Sequence, residues 1–257
     1  MYHISNFIDN DDIKTLSNVG PFTVIEYQRD LSVSPASAMV AYYSSQMNVR
    51  KRQVICDLSK GHVTIQAGSM QWMLGNVNAT TGIKGVGDLF GKAIRGKVTG
   101  ESAIKPEYTG DGILVLEPTY KHIILMDMAE WGESVVLDDG LFLACESKLK
   151  HKAVMRSNIS SAVAGGEGLF NLSLNGDGVF CIECKCPREE LVEISLQNDV
   201  LKVDGNMVLA WSGSLEFTVE RSGKSLVGSA ASGEGLVNVY RGTGKVMMAP
   251  LANAPNI

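Results

Sequence analysis

The sequence predicts an all-β fold assembled from three tandem copies of one β unit. Three observations lead there. Gly-x-Gly elements begin at positions 110, 176 and 242, a constant spacing of 66. A second, apolar element interleaves with them: residues 135–145 line up with residues 201–211, again 66 apart. Finally, short runs rich in Val, Ile, Leu and Phe, such as residues 113–116 and 215–219, are bounded by Gly, Asp, Asn and Pro, while almost no window sustains a helical period.

Each element can be justified in chain order. The first Gly-x-Gly copy runs from Glu101 through Gly110-Asp-Gly112 to Pro118. The second follows Glu167-Gly-Leu-Phe-Asn-Leu172, and the third follows Glu234-Gly-Leu-Val-Asn-Val239. A fainter copy of the interleaved element, residues 63–73, precedes residues 135–145 by 72, as expected if the first unit alone carries an insertion in the Gly-rich stretch 76–98. The units then occupy residues 52–118, 119–184 and 185–250, after an N-terminal extension with strands over 1–51 and before a tail over 251–257. At each Gly-x-Gly site, glycines flanking one polar residue supply the positive φ of a tight hairpin. A phosphate-cradling loop would need a helix N-terminus next, and strands follow instead.

With 257 residues, 45% apolar and 20% charged, the chain can bury a substantial core and lies far from the disordered regime. Its formal charge of −5 gives no instruction towards a polyanion. Residues 1–12 carry Asp9, Asp11 and Asp12 and no apolar run of secretory or membrane-spanning length. Five cysteines, an odd number, fit reduced thiols better than a disulfide framework, so the expected location is cytoplasmic.

Four stretches resemble a known family as a set: Ala67-Gly-Ser-Met-Gln-Trp-Met-Leu-Gly75, Gly100-Glu-Ser-Ala-Ile-Lys-Pro106, Asp138-Asp-Gly-Leu-Phe-Leu-Ala144 and residues 232–244, Ser-Gly-Glu-Gly-Leu-Val-Asn-Val-Tyr-Arg-Gly-Thr-Gly. They are similar to the family named for altered inheritance of mitochondria, protein 24, over residues 54–250. The resemblance implies a pseudo-threefold β-sandwich, or shortened double-stranded β-helix, similar to the tryptophan-RNA-binding attenuation protein. It supplies no catalytic motif. Its mitochondrial members are associated with inner-membrane organisation, its bacterial members have no accepted activity, and this chain shows no transit peptide.

No residue pattern identifies a reaction, a metal or a cofactor. Cys181-x-x-Cys184-x-Cys186 has the spacing of a thiolate site, but Cys181 aligns with Val115 and Met247, and Cys184 with Pro118 and Pro250. Cys56 aligns with Met128 and Ile194, and Cys145 with Trp211, as small buried hydrophobes would. His3, His62, His122 and His151 are scattered without ligand spacing and are expected on the surface or in loops. No Gly-x-Ser-x-Gly elbow is present. The adjacent acids Asp138-Asp139 and Glu189-Glu190 would face opposite sides of a strand, and Asp138 and Asp204 are expected in turns.

Residues 82–98 are the part of a unit without a counterpart in the other two. They fail the Walker pattern, because Gly85 and Gly91 enclose five residues and Lys92 is followed by Ala93. A short helix over 87–95 would gather Leu89, Phe90 and Ile94 on one side and set Lys92 and Arg95 elsewhere. Residues 84–98 carry +3 in a chain that is −8 outside them. Lys84, Leu89, Phe90, Lys92, Ile94, Arg95 and Lys97 are therefore the candidate interaction surface, as a cap over the sandwich or as a dock on a membrane surface. The resulting expectation is a non-enzymatic scaffold or interaction protein, self-associating into a homo-oligomer. Peripheral membrane binding and ligand or RNA binding by analogy of fold are the alternatives, the last opposed by the acidic balance.

Overall fold

The structure, a computed structural model, describes residues 2–81, 105–155, 170–221 and 236–250. It is built almost entirely of antiparallel strands. The N-terminal part contributes β1 (Ile13–Val19), β2 (Phe22–Tyr27) and one helix, α1 (Ala38–Gln46). Next come β3 (Arg52–Asp57), β4 (Val63–Ile65), β5 (Met70–Thr80) and β6 (Glu107–Leu116). The middle of the chain holds β7 (His122–Asp127), β8 (Ser134–Leu137), β9 (Phe142–Glu146), β10 (Lys150–Met155), β11 (Phe170–Asn175) and β12 (Val179–Cys184). The last strands are β13 (Val192–Asp204), β14 (Val208–Ser212), β15 (Glu216–Arg221) and β16 (Leu236–Met248).

Among the described residues these strands form two sheets in a sandwich-like arrangement. One has nine strands in the order β1-β2-β3-β6-β4-β9-β12-β7, with β5 also on β6. The other has seven, β10-β11-β8-β14-β16-β13, with β15 also on β16. The unbroken apolar runs are explained by burial on both faces, which removes the need for a polar side. On β12, Phe180, Ile182 and Cys184 pack into a cluster with Trp131 and Leu137, while Val179 and Cys181 pack into another with Val63 and Leu114. Among the described residues β13 has a sheet partner on one edge alone, and its residues are mostly exposed.

Strand pairings recur at fixed displacements. Lys150 opposes Asn175 and Glu216 opposes Arg241, and in each case the second pair member is displaced by 66 from its counterpart in the first. The pair Cys181 and Ala144 recurs as Met247 and Ala210, and the same register shift follows each. Thr80 opposes Glu107 as Lys152 opposes Ser173, with displacements of 72 and 66. The extra six positions therefore lie between Thr80 and Glu107. Asn76–Thr80, expected to open the insertion, instead continue β5.

The Gly-x-Gly sites differ from expectation. Residues 176–178 form a turn between β11 and β12, but residues 110–112 and 242–244 lie inside the uninterrupted strands β6 and β16. The reason is the partner strand. β5 and β13 run along the whole of β6 and β16, so the chain kinks at positive φ (Gly110 +115°, Gly242 +119°) without reversing. Glycine is also required by space. A Cβ on Gly110 would stand 2.1 Å from the Asn76 carbonyl oxygen, and one on Gly112 would stand 2.3 Å from that of Leu74.

Helix α1 was not signalled by periodicity, since Ala38, Met39, Val40 and Ala41 are consecutive and the helix contains no charged residue. Its C-terminal end is tied to β3 through Asn48, which accepts hydrogen bonds from Arg52.

The glycine geometry gives a test. Gly110→Ala should cost about 3 kcal/mol or more in denaturant unfolding, because backbone must move to admit the methyl group. Gly132→Ala, also at positive φ (+66°) but with nothing within 4 Å, should cost about 1 kcal/mol.

Candidate functional site

The proposed interaction surface, Lys84, Leu89, Phe90, Lys92, Ile94, Arg95 and Lys97, lies outside the described residues. The described surface offers a different candidate around α1.

This site begins with a buried ionic network on β2 and β3. Glu26 and Arg52 are opposed across the two strands and are 4% and 2% exposed. Arg52 Nη2 lies 2.7 Å from Glu26 Oε2, and Arg50 Nη1 lies 3.1 Å from Glu26 Oε1. The same Arg52 guanidinium donates to the carbonyl and side-chain oxygens of Asn48 at 3.0 and 2.7 Å. Asn48 follows α1 with φ +62°, so Arg52 grips the point where the helix turns back into β3. Burial pushes the Glu26 carboxyl upward, but hydrogen bonds from Arg50 and Gln28 and the charges of Arg52 and Arg50 outweigh it, and its pKa falls below the usual 4.5. Gln53 extends the network: it accepts from Tyr27 Oη at 2.7 Å and donates to the Leu116 carbonyl at 2.7 Å.

Above this network α1 bridges a cleft of about 510 Å³. The helix turns Ala41, Ser44 and Ser45 inward, and these small side chains leave open space over Tyr27, Val49 and Tyr120. Lys51 closes one rim, with Nζ 2.6 Å from Asp30 Oδ2 and 6.0 Å from the Tyr120 ring centre. Of the larger side chains of α1, Val40 and Tyr42 also line the cleft, with Leu31 across from them, while Met39 and Tyr43 point away from it. Met39, Val40, Tyr42 and Tyr43 are 72, 68, 62 and 64% exposed, with Met47 at 78% and Leu31 at 73% beside them. No charged residue occurs between positions 31 and 49. Chemically, this is an apolar contact surface and cleft. Its lining also carries the charged Arg29, Asp30, Arg50 and Lys51.

The other candidates separate in space. Cys181 and Cys184 enter different core clusters, so they face away from each other. Among the described residues no three His, Cys, Asp or Glu side chains converge as a metal site. Burial raises the thiols of Cys56 and Cys181 far above their ordinary value and pushes that of Cys145 up to about 12. His3, His62 and His151 are exposed, and His122 is half-buried at the start of β7. Its pKa is lowered by burial and then by the charge of Arg52. Sequence reasoning missed the α1 site. The readable signal was the uncharged, aromatic stretch after Pro35.

Two measurements test this geometry. Arg52→Met should cost about 3 kcal/mol, because it leaves one oxygen of the buried Glu26 carboxylate without its cation while Arg50 and Gln28 hold the other, and adding Glu26→Leu should recover part of the loss. Since folding depresses the Glu26 pKa, its contribution is present above about pH 4.5 and fades as pH falls through the folded value. Denaturant unfolding of Glu26→Gln should therefore lose less stability than wild type between about pH 5 and pH 3. Independently, native-state alkylation should label Cys186, the partly exposed thiol, before Cys56, Cys145 or Cys181, which are fully buried.

The chain is 31% identical over 199 residues to the uncharacterized protein M6_Spy0233 of Streptococcus pyogenes serotype M6, covering 74% of this chain and 77% of that protein. The crystal structure of protein SPYM3_0169 from Streptococcus pyogenes superposes with a TM-score of 0.57 at 30% identity, over 80% of this chain and 90% of that one. The family described as mitochondrial biogenesis AIM24 matches residues 43–251, which include every strand from β3 to β16. The match, the two streptococcal relatives and the all-β architecture agree, and the chain belongs to the AIM24 family.

Proposed function

We propose that this protein is a non-enzymatic scaffold of the cytoplasm that works through its surfaces and self-associates. The supporting observation is the apolar surface of α1. Leu31, Met39, Val40, Tyr42, Tyr43 and Met47 are 62–78% exposed. At roughly 100 Å² each, Met39, Tyr43 and Met47 on the outer side and Leu31, Val40 and Tyr42 along the cleft expose apolar area on the scale of one side of a standard protein interface. The absence of charge between residues 31 and 49 favours a protein partner. A helix built to lie on a membrane carries Lys and Arg on its polar face. Five unpaired thiols suit a reducing compartment, and the charge of −5 weighs against nucleic acid as the partner.

Light scattering at micromolar concentration should give a mass above the 27.6 kDa of one chain. A strict monomer would overturn the proposal. Tyr43→Asp combined with Met47→Asp should weaken association by about tenfold or more. The far-ultraviolet circular dichroism of the variant should stay that of the wild type, because both side chains face solvent within one chain, while its melting temperature falls only by what association contributes.

A further inference from the structure

Two junctions within the chain are built alike. In the first, β4 pairs with β9 and places Ile65 opposite Ala144. In the second, β8 pairs with β14 and places Leu137 opposite Ala210, so the two partners are displaced by 72 and by 66. Their flanking hydrogen bonds correspond as well. Gln66 N donates to the Leu143 carbonyl at 2.8 Å, and Asp138 N donates to that of Leu209 at 2.9 Å. At the other end Ser147 N donates to the His62 carbonyl at 2.9 Å, and Gly213 N to that of Ser134 at 2.8 Å.

The same displacements reach two edges that have no such neighbour. Advancing by 66 from β8 arrives at Leu201–Val203 of β13, and stepping back by 72 from β9 arrives at Trp72–Leu74 of β5. Among the described residues β13 pairs with β16 alone and β5 with β6 alone, and the two lie in different sheets. Burial shows the missing neighbour independently. Met73 is 47% exposed, where the corresponding Cys145 and Trp211 are 0% and 4%. Lys202 is exposed, where Thr64 and Val136 are 4% and 8%. On the N-terminal side, Phe7 packs on the Trp72 ring with centroids 5.5 Å apart. The backbone hydrogen bonds of residues 2–10 do not reach β5 among those described.

We infer that the outer edge of β13 pairs with the outer edge of β5 in a second copy of this chain, continuing the internal junction head to tail. Val203 then stands opposite Trp72, Lys202 opposite Met73 and Leu201 opposite Leu74. One face of this ladder is wholly apolar, formed by Leu201, Val203, Trp72 and Leu74. Lys202 keeps its charge on the other face, where Glu220 Oε2 lies 3.8 Å from its Nζ. Open edges of this kind are templates for pairing, and a contact between two different patches assembles as a ring or a filament according to its rotation. The inference rests on the reading of the protein as self-associating.

Cross-linking tests it at residues that face solvent. Met73→Cys and Lys202→Cys, each made with Cys186→Ser, are mixed and treated with a short thiol-to-thiol cross-linker, since directly paired residues lie about 5.5 Å apart or less. A covalent dimer is expected in the mixture and in neither variant alone. No dimer in the mixture, a dimer of Met73→Cys with itself, or linkage within one chain of the double variant overturns the inference. Light scattering of the wild type separates the two readings. An assembly without the 73–202 link sinks this junction alone, whereas a strict monomer without it sinks both. As a second handle, Lys202→Pro removes an outward backbone donor and should lower the assembly mass, with the β16 side of the ladder left to hold the fold.

Discussion

Backbone pairing across the internal junctions is the constraint on which the rest of the structure depends. A short strand such as β4, three residues long, is held by β6 on one side and β9 on the other. Its peptide groups are satisfied only if both neighbours keep register, because a slip of one residue would turn Val63 and Ile65 away from the core. The same demand acts on β8 between β11 and β14. Central strands of this kind lie beneath material on both faces, which accounts for the long apolar runs in this sequence.

The N-terminal part joins the sheet through the β2–β3 ladder and the burial of Phe22 and Val24, and an ionic pair adds direction to that attachment. Hydrophobic burial is undirected and tolerates sliding, whereas the Glu26–Arg52 pair is stable in one geometry, with each charge compensated by named partners. By holding Asn48 as well, Arg52 connects sheet registry to the position of α1. The small inner face of the helix and its apolar outer face then follow from one short sequence. Ala41, Ser44 and Ser45 leave the cleft, while Met39 and Tyr43 are presented outward. The family match begins at residue 43, inside this helix, so the contact surface joins the family's shared region to the N-terminal part.

Positions related by the recurring pairings carry unrelated chemistry. Cys181 and Met247 both oppose an alanine, and Cys145 corresponds to Trp211. What such positions have in common is burial, which raises a thiol pKa and removes it from reactivity. Membership of the AIM24 family adds an architecture to this chain and no reaction, which is why its edges and its apolar surface carry the functional reading.

The β class was legible in the sequence, because apolar runs and the glycines and turn residues that bound them are properties of residues near one another in the chain. The Gly-x-Gly sites mark the limit of that legibility. Their positive φ was readable, but whether the chain reverses or runs on depends on β5 and β13, partner strands remote from those glycines in the sequence. Helix α1 was hidden because its uncharged sequence has no period, and Arg52 fixes its end from β3. The candidate site was therefore not legible in advance. By itself the sequence determined which residues prefer to be strand and how often the pattern returns. The tertiary structure alone decided which strands meet, where a buried charge is compensated and which edges stay unpaired among the described residues, because hydrogen bonding and burial are settled between segments brought together from far along the chain.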